Sequence, residues 1–128
     1  MDQGDVSREF KNIKELGNLG EKQARHHLMK NNYRLIAENY RTRWAEIDLI
    51  VLKEDFLVFV EVKTRRSNSF GLPETSIGYT KQKKIRQLAS YFLIKKDYNQ
   101  YQVRFDVITI LIDKEKGSMN LNHIKNAF

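Results

Sequence analysis

Ala45-Glu46-Ile47-Asp48-Leu49-Ile50-Val51 and Phe56-Leu57-Val58-Phe59-Val60-Glu61-Val62-Lys63 are two apolar stretches with the polar Lys53-Glu54-Asp55 between them. Their Val, Ile and Phe content predicts two strands of a hairpin. With Glu54 and Asp55 as a two-residue turn, Lys53 faces Phe56, Val51 faces Val58 and Asp48 faces Glu61. Side chains alternate along a strand, so Glu46, Asp48, Glu61 and Lys63 are expected on one face, with opposed Cβ atoms about 5 Å apart. Two carboxylates that close repel each other, and a purely structural sheet gains nothing from the arrangement. A divalent cation between them reverses the sign. Glu-Asp lacks the glycine of a tight primed turn; a three-residue loop makes the contact diagonal and leaves the acids neighbours.

The chain has 128 residues, enough for one domain that buries roughly two-thirds of its extended surface. It is 41% hydrophobic and has no cysteine, which excludes disulfides and thiolate metal sites. No apolar run approaches the ~20 residues of a membrane span. The opening Met1-Asp2-Gln3-Gly4-Asp5-Val6-Ser7 lacks the basic and apolar regions of a signal peptide, so a cytoplasmic protein is expected. The net charge of +7 points to a polyanion partner, with solubility as the plainer alternative.

A first helix is expected from about Val6 to Lys30, weakened in its middle by Gly17 and Gly20, as one jointed helix or two, and ended by Asn31-Asn32. Tyr33 to Thr42 reads as a strand that forms an antiparallel meander with the two opening strands. Arg65 to Tyr79 reads as a loop, with Ser67, Asn68, Ser69, Gly71 and Pro73 as its turn chemistry. Thr80 is the expected cap of a second helix reaching about Lys96, its apolar stripe being Ile85, Leu88, Ala89, Phe92 and Leu93. Tyr101 to Ile112 is the next strand. A helix between two strands is the usual crossover of a parallel pair, which predicts that it runs parallel to Phe56–Thr64. Lys114 to Gly117 reads as a turn before a short last strand, Met119 to Ile124. The fold class is α/β: a mixed sheet flanked by helices, in the order α-β-β-β-α-β with a β tail.

Asp48 and Glu61 supply two of the oxygen ligands a hard cation such as Mg²⁺ needs, and the Val62 carbonyl is the expected third. Lys63 lies one side-chain period beyond Glu61, where an ammonium can hold water or stabilise charge on a phosphoryl group. On a helix Glu21 falls within about 20° of Leu28. That directs it inward, to reach the metal through water or to orient Lys63; the alternative is a solvated residue.

An Asp–Glu–x–Lys pattern across two strands, behind a helix bearing Glu, resembles the PD-(D/E)xK nuclease superfamily, whose core order is α-β-β-β-α-β. The wider text is more specific. Gly17-x-x-Gly20-Glu21-x-x-Ala24, Asn39-x-Arg41, Glu46-Ile47-Asp48-Leu49-Ile50, Val58-Phe59-Val60-Glu61-Val62-Lys63-x-Arg65, Arg104-Phe105-Asp106-Val107 and His123-Ile124-x-x-Ala127-Phe128 resemble the YraN family of small bacterial proteins, similar to archaeal Holliday-junction resolvases. The match covers nearly the whole chain; Ala45 stands where the family often has Gly. The resemblance implies a restriction-endonuclease-like fold; the chain reads as one such domain over residues 1–128, with residues 1–8 as a candidate disordered end. It also places Glu21, Asp48, Glu61 and Lys63 on the superfamily's catalytic positions. The expected function is hydrolysis of phosphodiester bonds in DNA, branched DNA included, with Mg²⁺ or Mn²⁺ and a homodimer matched to a two-fold substrate. The alternative is a non-catalytic nucleic-acid-binding module of the same fold; a third reading is a protein-interaction domain.

Lys81, Lys83, Lys84 and Arg86 crowd the first turns of the second helix, where cations oppose the helix dipole and a phosphate is welcome. They are candidate nucleic-acid contacts, as are Arg41, Arg43 and Arg65, with solvated surface as the alternative; Arg66 flanks the same site. Trp44 has the strand parity of Glu46 and Asp48, which suits a base stack or, more simply, partly buried packing. Glu46 is expected opposite Lys63, and Arg104 and Asp106 as a structural ion pair. His26, His27 and His123 show no metal-ligand spacing and read as surface or partly packed residues.

Overall fold

A computed structural model describes residues 13–66, 76–113 and 115–128. The expected helix start at Val6, the disordered end at 1–8 and the turn chemistry of Ser67 to Pro73 lie outside the described residues. The elements are α1 (Ile13–Lys30), β1 (Arg34–Arg41), β2 (Glu46–Lys53), β3 (Phe56–Arg66), α2 (Tyr79–Lys95), β4 (Gln102–Asp113) and β5 (Ser118–Ile124). The strands form one sheet in the order β1-β2-β3-β4-β5, antiparallel except for the parallel pair β3–β4. This is the expected mixed sheet, with the last strand added at the β4 edge.

The two faces of the sheet bury different sets of side chains. Ala24 and Leu28 of α1 pack with Leu49, Val51, Val58, Val60, Ile108 and Ile110 on one face. Ile85, Leu88, Ala89 and Phe92 of α2 pack with Ile50, Leu57, Phe59 and Phe105 on the other. The central strands are therefore covered on both sides, and they read as continuous apolar runs for that reason. The hairpin turn has two residues, since Lys53 pairs with Phe56 and Val51 with Val58. Glu54 supplies the left-handed backbone that glycine usually provides, at φ 53°.

Two boundaries differ from expectation. Arg65 and Arg66 extend β3 rather than opening the loop, because the parallel ladder carries them opposite Leu111 and Ile112. Thr80 is not the cap of α2: the helix starts at Tyr79 and its N-cap is Gly78, which has no side chain with which to bond the first turn.

α1 runs unbroken through both glycines. Gly20 is buried where the helix crosses β3, and a Cβ built there would lie 1.8 Å from Thr64 Oγ1 and 2.9 Å from its Cβ, whereas nothing lies within 4 Å of one at Gly17. The two substitutions should therefore have opposite signs. Gly17→Ala is expected to stabilise by up to about 1 kcal/mol through helix propensity. Gly20→Ala is expected to destabilise by about 1–3 kcal/mol through overpacking. Urea unfolding of both variants checks this, and adding Thr64→Ala to Gly20→Ala should recover part of the loss.

Candidate active site

At its N-terminal end β2 departs from strict alternation. Leu49 and Val51 face α1 and Ile50 faces α2, so regular pleating would send Ile47 to the α1 side; it packs instead in the α2-side core. The β2–β3 ladder runs from Lys53↔Phe56 only as far as Leu49↔Val60. On β1, Asn39 lies between Glu38 and Tyr40, the partners of Leu49 and Ile47, and so stands across from Asp48. Asn39 adopts φ 49°, a conformation its short polar side chain tolerates. The irregularity falls on Asp48 and turns its carboxylate into the gap between β2 and β3.

There Asp48 takes the place of a ladder partner: its Oδ2 accepts the Val62 backbone N–H at 2.7 Å. The expected flat face of Glu46, Asp48, Glu61 and Lys63 is corrected accordingly. The acids remain neighbours, but Asp48 reaches Glu61 by pointing along the sheet. The N–H and C=O of one strand residue project to the same edge, so the Val62 carbonyl points into the same gap.

Glu21, half-buried on α1, hydrogen-bonds with Asn39 and with Asp48. Glu61, on the opposite face of β3, is buried and forms an ion pair with Lys81 of α2. Asp48 is thus approached by Glu21 from one side of the sheet and by Glu61 from the other. Burial, then the Glu61 charge, then that of Glu21 push its carboxyl up to about 8; the Val62 N–H and the Lys81 charge only partly offset them. Burial, followed by the Glu46 charge, also raises Glu21.

Asp48 and Glu61 line a cavity of about 530 Å³ together with Glu46, Thr80, Lys81, Lys84 and a wall formed by Trp44 and Ala45. Lys63 shares the face of Glu61 by strand alternation, and its ammonium donates to the Ser76 carbonyl at 2.6 Å, just ahead of α2. Glu46 pairs with Arg41 at 3.1 Å across the β1–β2 ladder. The remaining basic candidates divide. Lys83 lies over the Tyr79 ring and Arg43 over the Trp44 ring. Arg65 donates to the Thr64 carbonyl at 2.9 Å. Arg86 donates to the Phe128 carbonyl at 2.7 Å and lies over Phe105, which ties it to the fold rather than to the cavity.

Among the described residues no three His, Asp or Glu side chains converge as a ready cage for a metal ion. The donor chemistry nonetheless fits a hard cation, which commonly takes one or two carboxylates and completes its shell with water and phosphate. Asp48, Glu61 and the Val62 carbonyl would hold it, and its charge would offset the repulsion that keeps Asp48 protonated. Lys81 would have to release Glu61.

Sequence reasoning missed three features. The sequence places Lys81 as a phosphate contact, and its pairing with Glu61 depends on how α2 lands on the sheet. The Asp48–Val62 bond depends on the strand irregularity, whose one local signal is Asn39. The third lies on β4, where Asp106 stands opposite Val60. Buried Asp106 accepts both Nε and an Nη of Arg104 at 2.9 Å, as expected for that pair, and also His123 Nε2 at 2.7 Å and the Asn126 N–H at 3.0 Å. His123 Nδ1 lies 3.2 Å from His27 Nε2, which joins two histidines 96 positions apart.

An α/β domain with an acid cluster at a parted strand end, ringed by lysines, defines the class. The family model described as "Uncharacterised protein family UPF0102" matches residues 20–110. A UPF0102 protein of Caldanaerobacter subterraneus subsp. tengcongensis is 42% identical over 118 residues, covering 91% of this chain and 97% of that protein. One of Alkaliphilus metalliredigens is 44% identical over 115 residues (90% and 98%), and one of Thermodesulfovibrio yellowstonii 44% over 116 (89% and 96%). The chain belongs to the UPF0102 (YraN) family.

Proposed function

We propose that this protein is a divalent-metal-dependent endonuclease of the PD-(D/E)xK type, hydrolysing phosphodiester bonds in DNA, branched DNA included. The observation that supports it is Asp48 at a parted strand end, reached by Glu21 from one side of the sheet and by the charge of Glu61 from the other. The cluster is costly enough to hold Asp48 near a pKa of 8, and packing has no use for it. A cation held by Asp48, Glu61 and the Val62 carbonyl would polarise a phosphate oxygen and make bound water a nucleophile at neutral pH. Lys81 and Lys84 bring positive charge to the same cavity and neutralise an entering phosphate. Once turned from the Ser76 carbonyl, the Lys63 ammonium stabilises charge developing on the phosphoryl oxygens. Glu21 holds Asp48 in place through its hydrogen bond. No helix among the described residues is long and apolar enough to cross a membrane, and the site of action we propose is cytoplasmic DNA. Cutting both strands of a junction would call for a symmetric dimer.

A second reading is a binding module that does not cut. It is favoured by the Lys81–Glu61 pair, which already neutralises one acid of the site. A cleavage assay on linear, flapped and four-way DNA with Mg²⁺ and Mn²⁺ separates the two. The parent is expected to cut at least one substrate. Asp48→Asn and Lys63→Met are expected to lose roughly 10²-fold or more of the rate, as removal of a group that stabilises the transition state does. Binding measured in EDTA should weaken with salt at a log–log slope of about −0.9 per phosphate neutralised. A slope near zero rejects both readings; binding without cleavage selects the module.

A further inference from the structure

Beside the acid cavity lies a second one of about 460 Å³, and Trp44 lines both. Trp44 and Tyr91 form its aromatic wall, with ring centroids 5.8 Å apart and planes at 67°. Arg41 and Arg43 also line it, with no acidic residue among the described residues that do so. The size is within the range of roughly 300–1,000 Å³ typical of small-ligand sites. Both aromatics are exposed to an extent that packing does not require, 40% for Trp44 and 39% for Tyr91. Trp44 is nonetheless held in place. The Thr42 hydroxyl accepts the backbone N–H groups of Trp44 and Ala45 at 3.2 and 3.3 Å, and Thr42 N–H donates to the Ala45 carbonyl at 2.9 Å. The Arg43 guanidinium sits 5.9 Å from the Trp44 ring centroid and makes no ion pair among the described residues.

We propose that this cavity receives one unpaired nucleobase of a nucleic acid whose backbone crosses the neighbouring acid site. The proposal rests on the nucleic-acid reading given above and adds a substrate class to it: strands with unpaired bases beside the phosphate at the acid site, in preference to continuous duplex. An indole 40% exposed on an anchored backbone, against the Tyr91 ring, offers a base a stacking surface, and stacking tolerates any base because each has a π-face. Arg43 adds a cation beside the stack, and Arg41, paired with Glu46, lines the same cavity. A paired base in a duplex cannot enter without leaving its stack, which costs a few kcal/mol.

Trp44 is the single tryptophan of the chain, so its fluorescence reports this cavity alone. Oligothymidylate and a mixed-sequence duplex of equal length would be titrated in EDTA, following tryptophan emission and, separately, the anisotropy of labelled DNA. Oligothymidylate is expected to quench Trp44, and the duplex to bind without comparable quenching. Trp44→Ala should weaken single-strand binding about 5- to 150-fold, the range of one lost stack, and duplex binding less than about threefold. Trp44→Phe, which keeps a ring, should recover most of the loss, and Tyr91→Leu should weaken the single strand while leaving the reporter in place. Anisotropy showing binding without quenching, or equal losses on both DNA forms, overturns the base-binding proposal and leaves the nucleic-acid reading standing. Absence of binding to either form overturns both.

Discussion

Asp48→Asn is expected to unfold at the same urea concentration as the parent near pH 4 and to be the more stable protein by a few kcal/mol near pH 8. The sign follows from linkage. In the unfolded chain an aspartate titrates near about 3.9; in the fold, burial and the Glu61 charge push Asp48 to about 8. Between those values the folded state holds a proton that the unfolded state has lost. This group's contribution is therefore fully present below the unfolded pKa and is lost as pH rises through the folded one, at up to about 1.4 kcal/mol per pH unit. Asparagine resembles the protonated acid, keeps an oxygen for the Val62 N–H and has no proton to lose. The difference in unfolding free energy between variant and parent should grow from pH 4 to pH 8 and then level off. Taking that difference cancels every other titrating group the two share. Mg²⁺ or Mn²⁺ should narrow the gap at pH 8, because a ligand bound only by the folded parent stabilises it, by about 2.7 kcal/mol at a hundred times its dissociation constant. EDTA should reopen it. A difference that is flat with pH would mean that Asp48 is ionised in the fold, and the repulsive acid cluster would be lost as an argument for function.

The order of elements and the parallel β3–β4 pair were legible because they depend on local signals: apolar runs, a polar turn at Lys53-Glu54-Asp55, and a helical stripe at Ile85, Leu88, Ala89 and Phe92 between two strands. The proximity of Asp48 and Glu61 was legible for the same reason, since a two-residue hairpin leaves little choice of register. The manner of their approach was not. Alternation treats a strand as flat, and here β2 slips at Asp48, so the carboxylate leaves the face assigned to it and substitutes for a backbone partner. Gly20 is a similar case. By propensity it is a weak point in a helix; in the fold it is the place where α1 comes close enough to Thr64 to bring Glu21 over the sheet.

Contacts between distant elements were the least legible. No spacing joins Lys81 to Glu61, because their separation is fixed by how α2 docks across the sheet. The same holds for His27 and His123, which meet because β5 lies beside β4 under the end of α1. The sequence does show that Arg104 and Asp106 share a face. It does not show that Asp106 is fully buried, with four donors from three segments directed at it.

That second aspartate is expected to respond in the opposite way to the first. Burial alone would raise Asp106, as it raises Asp48, but the His123 and Arg104 hydrogen bonds and the Asn126 N–H outweigh it and hold the carboxyl below its ordinary value. Its stabilising contribution is therefore present above the unfolded pKa of about 3.9 and is lost as pH falls through the lower folded one. Asp106→Ala strands the Arg104 guanidinium, only 14% exposed, without its counter-charge and leaves His123 Nε2 without its acceptor. Breaking a buried ion pair from one side costs about 3–5 kcal/mol, or roughly 10–20 °C of melting temperature in a domain of this size. Arg104→Met added to Asp106→Ala should recover part of the loss, since the stranded charge is most of the penalty. A loss under about 1 kcal/mol would place Asp106 among ordinary surface ion pairs and remove the claim that it joins β4, β5 and the segment after them. If instead Asp106→Ala destabilises while Asp48→Asn stabilises, the half-buried Asp48 and the buried Asp106 of one sheet are separated by sign alone. The one surrounded by donors serves the fold, and the one approached by acids is held at a cost to the fold, as the cation site we propose would require.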